Sequence, residues 1–448
     1  MIPLTLDEIA RVTGGVVVGD PGTVVDAPAT LDSRAVEPGG LFVAVAGEQV
    51  DGHDFARQAI ESGAAAVLSS QDTGLPGVVV PDVARALGLV ARHVLDERGD
   101  VEIVALTGSS GKTSVKDLIA HLLAPEGATV ATRGNFNNEL GVPLTVLGVD
   151  ELTRYLVVEM GARAIGDITY LCRIAPPAVG IVLNVGHAHV GEFGSADAIA
   201  VAKGEMVEAL GEGGVAVLNA DDPRVSAMAS RTRASVSTFG TAGTVRLGPV
   251  VLDEAGWPHF TLSYDGVTVE AHVPLIGGYH AHNAAAAAAA VLPLGVDLPT
   301  VAARLATAGA ASPMRMERHV RADGLVVVND AYNANPESME AALRAVAAIG
   351  AGHAVAVLGA MLELGDESEE AHRRIGRLAA DLGFSRVVVV GERAAGIAVG
   401  AGAIAEHVAD VDVATSTLSA SLSGDEVLLV KASRGERLER VAHALLQA

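Results

Sequence analysis

The chain has a single cysteine, Cys172, in 448 residues. That excludes an intramolecular disulfide framework and any zinc site built on a cysteine cluster. Aromatic residues make up only 3% of the sequence, so a core has to be assembled mainly from Ala, Val and Leu, which raise the hydrophobic share to 50%. A chain that apolar is not disordered over most of its length. Basic residues are also scarce: 31 Lys and Arg stand against 54 Asp and Glu, a formal charge of −23. This balance argues against a non-specific nucleic-acid binder and against a partner for anionic membranes, both of which need a basic surface. It leaves room for a phosphate site built from backbone N–H groups and one or two lysines. No apolar run reaches the ~18 residues of a membrane span; the nearest candidate, residues 284–292, stops at Pro293. The first residues carry Asp7 and Glu8 where a secretory signal would be basic and then apolar. The expectation is a soluble cytoplasmic protein with no membrane insertion and no nucleic-acid partner.

What is present is a repeated alternation. Short β-branched runs at 101–107, 155–159, 179–185, 215–219, 354–359, 387–391 and 427–431 alternate with Ala-rich stretches of helical character. Continuous apolar runs bounded by Gly, Asn or Asp predict strands buried on both faces, hence α/β layers with parallel sheets. A polar stretch at 96–100 and a seam at 308–313 divide the chain into regions 1–98, 99–312 and 313–448. Residues 256–273 alternate apolar and polar around Asp265-Gly266, which predicts a hairpin at the edge of the middle region. The alanine run predicts a helix packed close against its neighbours.

One motif carries chemistry directly. After the predicted strand 101–107 come Gly108, Ser109, Ser110, Gly111, Lys112 and Thr113, and then a predicted helix 114–123 beginning at Ser114. Glycines let backbone N–H groups wrap phosphates, and the helix N-terminus favours negative charge. Lys112 reaches terminal phosphate oxygens, and the Thr113 hydroxyl suits a magnesium ion. Leu106 stands where the strict phosphate-loop pattern has its first glycine, but strand, loop and helix in this register predict ATP binding. Glu159 ends a predicted strand, a position from which a carboxylate can hold magnesium beside the loop. His187 and His189 follow strand 179–185; at i and i+2 of an extended segment they face opposite ways, so one at most faces the metal. Lys203 lies on a predicted helix with Glu205 as a nearby acidic partner. Asn335 followed by Pro336 reads as a helix start ending at Gly350. Asn135, Asn137 and Asn138 sit in a Gly-containing loop whose amides bind a substrate or tie the loop to itself.

The string TGSSGKTS, then RGNFNNELGVPLT, VVEMGA, HAHVGEFGS, AKGEM, NADD, DAYNANP and VLGAMLELG, with DSR and DGHDF near the N-terminus, resembles the Mur ligase family of ATP-dependent amide ligases. The resemblance spans nearly the whole chain. It implies a three-domain architecture: an N-terminal domain for a UDP-sugar, a central phosphate-loop ATPase and a C-terminal Rossmann-like domain. It also implies ATP and Mg2+ as cofactors, UDP-N-acetylmuramoyl-tripeptide and D-alanyl-D-alanine as substrates, an acyl-phosphate intermediate, and a monomer. By position in the family, Glu159, His189 and Lys203 (as a carbamate) join Thr113 as metal ligands, and Lys112 serves catalysis. Asn283 and Asp330 face adenosine, and Arg315 reaches the phosphates. Ser33 and Arg34 take the uridine end, while Asn135, Asn137, Asn138, Asn335, Lys431 and Ser433 face the remaining substrate parts. Departures occur at Tyr279, where the family has histidine, and at Ala360 and Ala432. A Mur ligase adding the third amino acid, a folylpolyglutamate-type ligase and an ATP-dependent switch remain alternatives at this point.

Overall fold

The computed structural model describes residues 1–47, 50–186, 193, 195–362, 364–365 and 368–447. Its strands form a 4-stranded N-terminal sheet, a 10-stranded central sheet and a 6-stranded C-terminal sheet, with a 2-stranded ribbon at the start of the chain.

The N-terminal sheet runs Val16–Val18, Gly77–Val79, Ala66–Ser69, Leu41–Val43. Helix Leu6–Thr13 opens with a capping box, in which Thr5 accepts from the Glu8 N–H and the Glu8 carboxylate accepts from Thr5. Helix Val83–Glu97 turns Leu87, Val90 and Val94 into a core shared with helices Gly141–Val146 and Asp167–Ile174 of the middle region. The two regions are therefore joined by packed apolar surface as well as by a linker.

In the central sheet, strands Ala128–Ala131, Thr153–Glu159, Glu102–Thr107, Val179–Val182, Val215–Asn219, Ser235–Gly240 and Val245–Leu247 are parallel neighbours in that order. An antiparallel hairpin, Pro258–Tyr264 with Val267–His272, extends the edge. Its turn residues Asp265 (φ 49°) and Gly266 (φ 77°) both lie in the left-handed region, the geometry a two-residue hairpin turn demands. The strand predicted over 179–185 stops at Val182, because Asn184 leaves the ladder to bond the phosphate loop.

The alanine run lies in helix Tyr279–Val291, where Ala284 to Ala290 are fully buried between the sheet and helix Lys112–Leu123. Methyl groups let this helix approach both partners closely. Ala287→Leu is therefore expected to destabilise the protein by about 1–3 kcal/mol through overpacking, whereas Leu152→Ala, at a side chain 79% exposed, leaves the unfolding midpoint nearly unchanged. Thermal melts of the two variants check this.

The C-terminal sheet is parallel through Val326–Asn329, Val427–Lys431, Ala354–Leu358, Arg386–Val390 and Ala405–Val408, with Glu317–Val320 antiparallel on one edge. Helix Pro336–Gly350 starts as predicted: Asn335 Oδ1 accepts from the Ser338 N–H at 2.8 Å, and Pro336 fills the first turn. The C-terminal ends of the central strands face this domain, and the cleft between them holds the site.

Candidate active site

A cavity of about 420 Å3 opens between the phosphate loop, the Asn135–Asn138 loop, Lys203 and the C-terminal domain, which contributes Arg315, Tyr332, Asn335, Ser433 and Arg434. Strand Glu102–Thr107 delivers the loop, and Gly111, at φ 80°, starts helix Lys112–Leu123 in the left-handed conformation that glycine adopts without strain. Lys203 lies near enough to Lys112 to feel its charge, and Lys112 in turn feels Arg315. A protein of net charge −23 thus keeps a basic inner wall, suited to a polyphosphate.

Two groups converge on the Thr113 hydroxyl. It donates to Glu159 Oε2 at 2.9 Å and accepts from Arg315 Nη2 at 3.2 Å. The other Glu159 oxygen accepts from Asn137 Nδ2 at 2.7 Å, and the Glu159 N–H donates to Thr132 Oγ1. Lys112 Nζ donates to the Gly108 carbonyl at 2.8 Å, and burial pushes its pKa below the usual lysine range. Lys203, only 4% exposed, is pushed down to about 7 by burial and then by Lys112.

Glu205 does not pair with Lys203. Its carboxylate accepts instead from the N–H groups of Gly166 (2.6 Å) and Thr169 (2.8 Å), capping helix Asp167–Ile174. The two side chains are two residues apart on helix Ala196–Glu208 and so point in different directions. Asn283 abuts the loop, its Oδ1 beside Gly111. Ser109, Ser110 and Ser114 line the cavity, and Gly108 lies at its back against Leu183.

Other expected residues lie differently. Asn138 accepts from the Gly141 N–H at 3.0 Å and so fixes its own loop, while Asn135, Asn137 and Asn138 still line the cavity. Ser433 accepts from the Leu362 N–H at 3.0 Å. Lys431 does not reach the cavity: it is buried, donating to Asp330 Oδ2 at 2.6 Å and to the Asn333 carbonyl. The second Asp330 oxygen accepts from the Met316 N–H, so both oxygens are engaged within the domain. Ser33 is buried against Gln58, and Arg34 pairs with Asp32 on the surface; both are in the N-terminal domain, away from this cavity. His187 and His189 lie outside the described residues.

Sequence reasoning missed Asn184. Its Oδ1 accepts from the N–H groups of both Ser109 and Ser110 at 2.9 Å, and its Nδ2 donates to the Ser110 carbonyl. The signal was available: a polar residue just past a buried parallel strand, next to the loop strand. Among the described residues no three His, Cys, Asp or Glu side chains converge as a metal site. The oxygen donors at hand are the Thr113 hydroxyl and the Glu159 carboxylate. Hard oxygens with room for water ligands fit magnesium better than a softer ion.

Comparison with known proteins places the chain among relatives of one family. Family models described as "Mur ligase family, catalytic domain", "Mur ligase middle domain" and "Mur ligase, glutamate ligase domain" match residues 29–94, 106–291 and 314–434. The UDP-N-acetylmuramoyl-tripeptide–D-alanyl-D-alanine ligase of Mycobacterium tuberculosis is 43% identical over 500 residues, covering 100% of this chain and 98% of that one. The crystal structure of MurF from Acinetobacter baumannii matches with a TM-score of 0.90 at 30% identity, over 100% of this chain and 99% of that chain. MurF ligase from Thermotoga maritima, in complex with ADP, matches at 0.80 and 31% identity, over 94% and 97%. A phosphate loop set against a carboxylate and a C-terminal arginine, in a chain matched from end to end by these proteins, belongs to the Mur ligase family.

Proposed function

We propose that this protein joins D-alanyl-D-alanine to UDP-N-acetylmuramoyl-tripeptide, converting ATP to ADP and phosphate, as a step of peptidoglycan precursor synthesis. The observation that carries the chemistry is the Thr113 hydroxyl held between Glu159 and Arg315, which ties the phosphate loop to the C-terminal domain. The choice of substrates rests on the named relatives. The domains divide at 98/99 and 312/313, and the enzyme works as a cytoplasmic monomer.

The reaction is a phosphoryl transfer followed by an acyl transfer. A tripeptide carboxylate oxygen attacks the γ-phosphorus and ADP leaves; the dipeptide amine then attacks the acyl carbonyl, phosphate leaves, and the amine loses a proton. The protein contributes positioning and charge neutralisation. Lys112 and Arg315 are the cations assigned to face the transferred group, and the donors of the phosphate loop would hold the β-phosphate. Asn137 holds Glu159 in place, and Glu159, Thr113 and a carbamate on Lys203 are the oxygen donors for magnesium. Magnesium, when bound, neutralises developing charge on the phosphates. His189 completes the set by family position. Asn283 and Asp330 lie on the adenosine side. Ser33 and Arg34 take the uridine end, and Asn135, Asn335 and Ser433 line the route of the peptide. The cleft between domains shields the acyl phosphate from water.

Lys203 is suited to carbamate formation because a pKa of about 7 leaves roughly half of its amine neutral at neutral pH. The free amine adds to carbon dioxide, forms an N–C bond and releases a proton. Wild-type activity is therefore expected to rise with added bicarbonate after exhaustive degassing. Lys203→Ala is expected to lose about a hundredfold or more and to regain part of that with a short carboxylic acid. Full activity in the alanine variant would end the assignment.

The function itself is tested by phosphate release from ATP and magnesium with the UDP-tripeptide present and the dipeptide added or omitted, with mass spectrometry on the mixture. Release requiring both, together with the pentapeptide mass, is the expected result. ATP hydrolysis without that product would refute the substrates and leave the ATPase.

A further inference from the structure

Arg315 sits in an unusual stretch of backbone. The residues on either side, Met314 (φ 57°) and Met316 (φ 51°), both occupy the left-handed region although neither is glycine. Such conformations persist only where surrounding contacts over-determine them, and they cluster where a side chain has to be aimed. The contacts here come from Glu317 and from the segment Asp330–Tyr332. The Met316 N–H donates to Asp330 Oδ1 at 3.1 Å, and the Met314 N–H donates to Glu317 Oε2 at 3.0 Å. The Met314 carbonyl accepts from the Tyr332 N–H at 3.3 Å. Asp330 is itself fixed by the buried Lys431 ammonium.

The Arg315 side chain then lies on the face of Tyr332, with its guanidinium carbon 4.2 Å from the ring centroid. From there Nη2 reaches Thr113 of the phosphate loop. The Tyr332 hydroxyl extends to the other wall of the cleft, beside Gly134 and the Asn135 backbone of the middle domain. The ring is a platform that lets a long, flexible cation cross from one domain to the other in a single geometry. A guanidinium keeps its in-plane donors free when it stacks on an aromatic face, which a lysine ammonium cannot do.

We propose that Tyr332 is a positioning residue for phosphoryl transfer: its ring holds the Arg315 guanidinium over the phosphate loop. The inference rests on the ligase reading for its assay and on the Arg315 geometry for its content. The test is a double-mutant cycle on the full-length protein, reading kcat and KM for ATP with both substrates saturating. Tyr332→Leu is expected to lower kcat about tenfold, in the range of a desolvated cation–π contact, while Tyr332→Phe stays within about threefold of wild type because the ring face remains. Arg315→Lys, which cannot stack in the same way, loses at least as much. The double variant Tyr332→Leu/Arg315→Lys is expected to fall no further than about threefold below the poorer single variant.

Multiplicative losses in the double variant would overturn the proposal, because they would mean that Tyr332 acts independently of Arg315. A Phe variant as poor as the Leu variant would also overturn it by moving the effect to the hydroxyl. Thermal melts separate a folding defect from a kinetic one, and the Phe variant keeps the question open to test if Leu destabilises the fold. If the wild type forms no pentapeptide, the ligase reading fails. The same cycle is then read on the Kd for a non-hydrolysable ATP analogue, where independent effects again overturn the platform.

Discussion

Lys112→Ala is expected to lower kcat for pentapeptide formation by about three orders of magnitude. The ammonium is a half-buried cation at the phosphate loop, lining the cleft. Removing one preorganised charge or donor from such a site typically costs a factor of about 10²–10³, and a cation facing a transferred phosphoryl group sits at the upper end. Lys112 also donates to the Gly108 carbonyl, so the alanine variant loosens the loop as well as removing charge. Lys112→Met separates the polar head from the packing of the stem: it keeps the volume of the stem and loses charge and donor together. If charge dominates, Met and Ala variants are equally poor and their melting points differ little from wild type. The measurement is single-turnover product formation at saturating ATP; a Met variant within tenfold of wild type would remove Lys112 from the chemistry.

Glu159→Gln is expected to reduce activity by about 10²–10³-fold and to raise the magnesium concentration needed for half-maximal rate. The amide is nearly isosteric and can still accept from Thr113 or Asn137, the two partners of the carboxylate, so the fold should tolerate it. What it lacks is the negative charge that a hard cation requires. The loss should therefore appear as a displaced magnesium titration rather than as unfolding. Rate measured against magnesium for both proteins, alongside thermal melts, checks this. A Gln variant with the wild-type magnesium midpoint and rate would exclude Glu159 as a ligand.

The two variants probe different parts of one arrangement, and their combination is expected to be far from additive. Lys112 senses the charge of Glu159, and Glu159 lies one hydrogen bond from Thr113, which follows Lys112 in the chain. Groups that act on the same phosphoryl transfer lose most of their joint effect once either is gone.

Much of this protein is written locally. The phosphate loop, its strand and its helix are contiguous, so glycine spacing, Lys112 and Thr113 were legible together. The hairpin at Asp265-Gly266 and the cap at Asn335-Pro336 follow from backbone preferences that act over a few residues. The buried parallel strands announced themselves as continuous apolar runs, because both of their faces are covered. Glu159 could be singled out for the same reason, as a carboxylate ending such a run.

Long-range pairings were not legible, because a sequence does not say which polar groups meet when distant segments fold together. Proximity in sequence pairs Glu205 with Lys203; the structure turns it to the N–H groups of Gly166 and Thr169, where a helix start offers unsatisfied donors. Lys431 and Asp330, 101 residues apart, satisfy each other inside the C-terminal domain, since neither charge can be buried alone. Asn184 looks like the tail of a strand in the sequence, yet its amide closes on the phosphate loop 74 residues away. The sequence by itself determined the α/β class, the nucleotide loop and the family, because these depend on periodicity and on motifs with fixed short spacing. Only the tertiary structure decided which cations face the cavity and which are neutralised in the core, and that a tyrosine of the C-terminal domain carries Arg315 to Thr113. Those outcomes depend on burial and on the obligation of every buried polar group to find a partner, conditions that exist only once the chain is packed.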